Sequence, residues 1–249
     1  MKNLTGKVAL VTGGSRGLGV AIALELAEAG ADVVITYSQS AQKAQDVVTK
    51  IEALGQRGLA IQSDQGDATA AAPLVEQVIQ EFGSLDILVN NAALANQGSK
   101  IDDPNADTQA WDRMWQVNVL GVISTIRAAS KVMNNGGRII SIGTGLATHI
   151  GVPGVTEYAA TKAAMVGYSK GAARDLGARK ITVNVIQPGI MLTDMQAGIE
   201  DVPDFLLNMK AIPEAVEIED VAAAVSFLSG PNANNITGAV LDINGGWTA

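Results

Sequence analysis

The chain has no cysteine, a single histidine and only 4% aromatic residues. The missing cysteine excludes disulfides, thiolate metal sites and a cysteine nucleophile. One histidine, His149, cannot build a His-rich metal centre, and any Ser-His-Asp triad would have to use it, so no metal is expected. Basic residues are also scarce: 17 Lys+Arg against 25 Asp+Glu leave a net charge of −8 at pH 7. Such a chain lacks the basic surface that nucleic-acid backbones and anionic membranes require. Long apolar runs are absent too. The first one, Val8–Val11, is too short for a signal-peptide core or a membrane span, and a cytoplasmic protein is expected.

What is present is aliphatic. Of the 249 residues, 47% are hydrophobic and 27 are glycine, so the core has to be built from Ala, Val, Ile and Leu. Strand-length apolar runs recur at Val8–Val11, Asp32–Thr36, Leu59–Ile61, Leu85–Val89, Arg138–Ile142, Ile181–Ile186 and Val240–Ile243. Helix-period segments fall between them, at about 17–29, 40–54, 68–82, 107–134, 155–178 and 218–229. Continuous apolar strands alternating with helices predict a doubly wound, seven-stranded parallel sheet with helices on both faces. No linker or repeat divides the chain, so residues 1–249 are expected to form one domain. The stretch 190–215, with Pro203 and Pro213, interrupts the alternation after a late strand, where a substrate lid would sit.

After the first strand comes Thr12-Gly13-Gly14-Ser15-Arg16-Gly17-Leu18-Gly19, then an Ala-rich helix. Strand, glycine loop and helix N-terminus together make a cradle for a pyrophosphate. The run after strand two, Tyr37-Ser38-Gln39, has no carboxylate to bond a ribose 2′-hydroxyl, while Arg16 offers a guanidinium suited to a 2′-phosphate. Both features point to NADP(H). Farther along, Tyr158-Ala159-Ala160-Thr161-Lys162 puts a phenol and an ammonium at i and i+4 on one helix face. An ammonium close to a tyrosine is expected to lower its pKa and make it a proton donor to a carbonyl oxygen.

The glycine spacing, Gly-x3-Gly-x-Gly, together with the Tyr-x3-Lys pair resembles the short-chain dehydrogenase/reductase family in its classical form, over the whole chain. It is similar in particular to 3-oxoacyl-acyl-carrier-protein reductase-like members. The resemblance implies a Rossmann fold, NADP(H) as cofactor and reversible reduction of a ketone or aldehyde. It implies catalytic roles for Asn118, Thr144, Tyr158 and Lys162. The family serine, normally thirteen residues before the tyrosine, would fall on Gly145. Thr144 is read in its place on a loop one residue longer, with Ser141, inside a strand, as the fallback. The implied cofactor contacts are Gly13, Ser15, Arg16, Gly17, Leu18 and Gly19 in the loop, and Tyr37 and Ser38 after strand two. Asp64 and Gln65 follow strand three, and Asn90, Asn91 and Ala92 follow strand four. Tyr158, Lys162, Pro188, Gly189, Ile190 and Thr193 complete the set. Asn90 is as readily architectural, since loop asparagines commonly bond backbone groups.

His149 is read as a solvated loop residue. The apolar residues between Met195 and Ile212 hint at an uncharged substrate, with Phe205 and Met209 spaced for core packing. An acyl-carrier protein would need a basic docking face, for which only Arg174, Arg179 and Lys180 cluster, so a small carbonyl compound is preferred as substrate. The Thr144 replacement also leaves room for a nucleotide-binding regulator with little turnover. Apolar helices at 107–134 and 155–178, and the family habit of pairing them and joining dimers through the last strand, imply a homotetramer.

Overall fold

Seven strands, among the described residues, form one parallel sheet in the order β3-β2-β1-β4-β5-β6-β7. They are β1 (Val8–Val11), β2 (Asp32–Tyr37), β3 (Gly58–Gln62), β4 (Ile87–Asn90), β5 (Arg138–Ile142), β6 (Thr182–Pro188) and β7 (Val240–Ile243). The computed structural model describes residues 3–191 and 202–249. The strand order reverses direction between β1 and β4, and the crevice beyond the carboxyl ends at that point is where such sheets bind ligands.

Alternate residues of each strand supply opposite faces. Ala9 and Val11 of β1 join a cluster with Ile22 and Leu26 of α1 (Gly17–Glu28) and Val221 and Val225 of α8 (Ile218–Ser229). Val8 and Leu10 join the opposite cluster with Val78 of α3 (Ala71–Phe82), Ile126 of α5 (Val122–Val132) and Met165 of α6 (Thr156–Leu176). α2 (Ala41–Ala53) completes the first face through Ala44, Val47 and Ile51. Aliphatic side chains of modest size thus fill both layers, as the composition requires.

The long helical stretch expected at 107–134 is not one regular helix. α4 (Thr108–Trp115), capped by Asp107 Oδ1 accepting from the Ala110 N–H, runs into a π-helical segment at Gln116–Gly121 before α5 begins. Hydrophobic period alone cannot reveal such a break, because the same face stays buried through it: Val117, Val119 and Val122 are all covered. β4 also starts at Ile87, two residues later than expected, because Asp86 turns its carboxylate back to the Val8 N–H and Lys7. No helix among the described residues is long and apolar enough to cross a membrane.

Candidate active site

The glycine loop is shaped by close approaches. A Cβ on Gly19 would lie 2.3 Å from the Gly13 carbonyl oxygen, and one on Gly13, whose φ is +67°, would lie 2.9 Å from Ala92 Cα. The N–H groups of Gly13 and Gly14 donate to the Thr36 hydroxyl and carbonyl on β2. The anion-facing donors are therefore those farther on, from Ser15 into the first turn of α1. No side chain caps that turn and no acid sits in it. Arg16 is exposed at the N-cap, and the tip of β2 at Tyr37-Ser38 carries no carboxylate. A pyrophosphate and a 2′-phosphate fit this donor set.

The asparagines after β4 turn inward. Asn91 Nδ2 donates to the carbonyls of Thr12 and Gly13 at 3.0 and 3.1 Å, which holds the glycine loop. Asn90, 3% exposed, donates to Ser141 Oγ at 3.4 Å, and its Oδ1 has no partner among the described residues. Ser141 lies inside β5, as expected. Asp64 accepts at Oδ1 from the Gly66 N–H and pairs with Arg113, and Gln65 reaches Thr125. These side chains serve the protein first.

Tyr158 and Lys162 project from one face of α6, both buried. Tyr158 packs with Trp111 and Met114. Thr144 stands at the start of the turn Gly145–Ala147, accepts there from the Leu146 N–H, and lines the same cavity as the phenol. Thr144, read from the spacing as the stand-in for the family serine, thus shares a cavity with the tyrosine. Lys162 Nζ lies 5.9 Å from the Tyr158 ring centre and donates to the Ile142 carbonyl at 2.8 Å.

The expected depression of the tyrosine pKa does not hold in the protein alone. Burial pushes the Tyr158 phenol up to about 12, against a smaller opposing pull from Thr144. Burial also pulls the Lys162 ammonium down to about 8. Loss of solvation outweighs a cation that is not in contact with the phenol oxygen and is partly engaged by a carbonyl.

Asn118 lies in the π segment, 2% exposed. Its side chain accepts from the Leu94 N–H (2.8 Å) and donates to the Leu94 carbonyl (2.9 Å) and to Thr161 Oγ1 (3.1 Å). Thr161 in turn donates to the Tyr158 carbonyl at 2.7 Å. Thr161 was missed from the sequence, although it stands inside the Tyr-Lys motif. Asn118 is thereby a clamp between the loop after β4 and α6.

Thr144 and Tyr158 open onto a cavity of about 470 Å³, walled by Leu146, Val152, Val155, Met191, Val202 and Leu206 and closed by Asn244 and Trp247. Pro188, Gly189 and Ile190 line it as well. The C-terminal turn that brings Trp247 here is marked in the sequence by Asn244-Gly245-Gly246, whose glycines take φ of +64° and +78°; Asn244 Oδ1 fixes it by accepting from the N–H groups of Gly246 and Trp247. His149 is exposed, with its ring 6.2 Å from that of Trp247. Thr193, Asp194, Met195 and Ile199 lie outside the described residues. Phe205 and Met209 are not core residues: they are 62% and 40% exposed, because α7 (Asp204–Leu207) turns Leu206 toward the cavity instead.

Comparison with known proteins adds to this geometry. Residues 13–248 match the family described as enoyl-(acyl carrier protein) reductase. The chain is 38% identical over 243 residues to the 3-oxoacyl-acyl-carrier-protein reductase of Staphylococcus aureus, covering 96% of this chain and 97% of that one. It superposes on a Burkholderia cenocepacia short-chain dehydrogenase in complex with NADP with a TM-score of 0.95. Identity there is 47%, covering 99% of this chain and 100% of that one. A blue fluorescent protein from a metagenomic library, in complex with NADPH, matches at 43% identity and TM-score 0.94, with coverage of 99% and 100%.

Proposed function

The chain belongs to the short-chain dehydrogenase/reductase family and is an NADP(H)-dependent oxidoreductase acting on a carbonyl; from that premise we propose that it is a reductase of small ketones or aldehydes in which Tyr158 is the proton donor. The observation that carries this reading is that Tyr158 and Thr144 line the same mainly apolar cavity. When bound, NADPH supplies the hydride for the carbonyl carbon. The chain's own groups handle the oxygen. Tyr158, held protonated at neutral pH by burial, gives its proton to the developing alkoxide. Thr144 donates its one hydroxyl proton to the same oxygen. Lys162, anchored on the Ile142 carbonyl, keeps two further N–H donors for the cofactor ribose. The side chain of Asn118 is committed to Leu94 and Thr161, so its part is to hold the helix break, and any relay water would rest on main-chain carbonyls.

For the cofactor, the glycine loop, Arg16, Tyr37 and Ser38 are the groups that receive the phosphates. Backbone around Asp64, Gln65 and Asn90–Ala92 flanks the adenine and nicotinamide ends, and Pro188–Ile190 with Thr193 meets the carboxamide. One unit, residues 1–249, both binds the cofactor and performs the reaction, with 190–215 as the lid. The absence of cysteine is in keeping with a cytoplasmic protein. Exposed Phe227 on α8 and Leu241 on edge strand β7, with Leu120 in the π segment, support assembly into a homotetramer. A free small molecule is preferred over a carrier-bound substrate because Arg179 is already engaged with the carbonyls of Ser130 and Met133.

The reading is tested with a panel of ketones and aldehydes while NADPH oxidation is followed. Tyr158→Phe should lower kcat by about a thousand-fold or more and leave NADPH affinity intact. Turnover retained in that variant removes Tyr158 from the mechanism.

A further inference from the structure

The cavity beside Tyr158 is apolar over most of its wall, yet one charged side chain lines it. Lys210 does so, and no Asp or Glu is among the lining residues described. Lys210 is only 6% exposed, in a protein with a net charge of −8. Its ammonium donates to the main-chain carbonyl of Glu214, and no carboxylate lies within ion-pair distance of it among the described residues. Burial draws its pKa down, against a smaller opposing pull from the Glu214 charge. Among the described residues this buried cation has one neutral acceptor for three donors, and an anion beside it would be strongly favoured.

The fold keeps this side chain in place deliberately. Lys210 follows α7 and lies against the C-terminal turn: a Cβ on Gly245 would be 2.6 Å from its Cε and 3.1 Å from its Nζ. The Ile212 N–H donates to the Gly245 carbonyl and the Val216 N–H to the Ile190 carbonyl, so the segment is pinned to the C-terminal turn and to the residues after β6. The bond to the Glu214 carbonyl uses one of the three ammonium donors and leaves two for a ligand.

We propose that Lys210 is the specificity residue of the cavity and selects carbonyl substrates that also carry a carboxylate. This rests on the reductase reading above and replaces the uncharged substrate expected from the apolar lid. The acceptor is then an oxo acid: its carbonyl meets Thr144 and Tyr158, its apolar body lies along Val152, Val155 and Leu206, and its carboxylate pairs with Lys210.

Calorimetric titration of hexanoate and of hexanamide into the NADPH-saturated protein separates charge recognition from hydride transfer, since neither ligand is reduced. Hexanoate should bind about ten-fold or more tightly than hexanamide. Lys210→Met should abolish that preference while leaving hexanamide affinity unchanged, and Lys210→Arg should keep it. Equal binding of the two ligands to the wild type, no hexanoate binding at all, or a common loss of both in Lys210→Met overturns the proposal; the last result would mark Lys210 as a brace. Charge-selective binding in a protein that reduces no ketone, neutral or carboxylated, would uphold the anion site and remove the reductase reading instead.

Discussion

Burial decides the protonation of the two side chains at the centre of the site. With Tyr158 at about 12 and Lys162 at about 8, the cofactor-free protein holds a neutral phenol and a lysine that loses its charge in mildly alkaline solution. Between about pH 8 and the ordinary lysine value of 10.5, the unfolded chain binds a proton at Lys162 that the folded protein has released. Folding stability from this group therefore rises with pH across that window. Above pH 10 the sign reverses for Tyr158, whose proton is held more tightly in the folded state. The stability of the cofactor-free wild type relative to Lys162→Met should accordingly improve from pH 7.5 to 9.5, by at most about 3 kcal/mol, in denaturant titrations. A gap independent of pH would show that Lys162 is not desolvated as described. Thr144 gives a second test at this scale. Thr144→Ser should keep turnover within about three-fold and Thr144→Ala should lower kcat by about a hundred-fold, with NADPH affinity unchanged in both. The hydroxyl is the working part, and the methyl group only restricts its rotamer.

At the scale of elements, the glycine loop and the first turn of α1 act as one anion-binding device. Gly13 and Gly14 spend their N–H groups on Thr36, so β2 positions the loop, while the uncapped turn after it stays open to phosphate. In the proposed reading, discrimination between the two nicotinamide cofactors falls to Arg16, which is exposed at the N-cap while the β2 tip carries no acid. Arg16→Ala should weaken NADPH binding by about a hundred-fold and NADH binding by no more than about three-fold, measured by fluorescence titration. Equal losses would assign Arg16 to the loop's architecture. The π segment between α4 and α5 is the other element with a defined task. By shifting the register of the helix it turns Asn118 inward, where one side chain ties the β4 loop through Leu94 to α6 through Thr161.

For the whole molecule, the edge strand β7 and helix α8 present Leu241 and Phe227 at 38% and 48% exposure beside an otherwise well-filled core. Small-angle scattering should return the mass of four chains, and Leu241→Asp with Phe227→Glu should reduce it to that of two. A monomeric wild type would reject the assembly. The strand and helix pattern was legible from the chain because both faces of the sheet are covered, which forces continuous aliphatic strands and regular helix periods between them. The glycine loop and the Tyr-x3-Lys pair were legible because their geometry is local, one strand-to-helix turn and one helical turn. What arises from contacts distant along the chain was not. The upward shift of Tyr158 depends on Trp111 and Met114 packing around it, the role of Thr161 on Asn118 crossing from another helix, and the cavity wall on Trp247 returning from the C-terminus. The ionic character of that cavity was decided in the same way. In sequence Lys210 is one more polar residue after a short apolar run, and only the packing of its segment against Gly245 buries it in the wall of the cavity, where the proposal gives it a part in selecting the substrate.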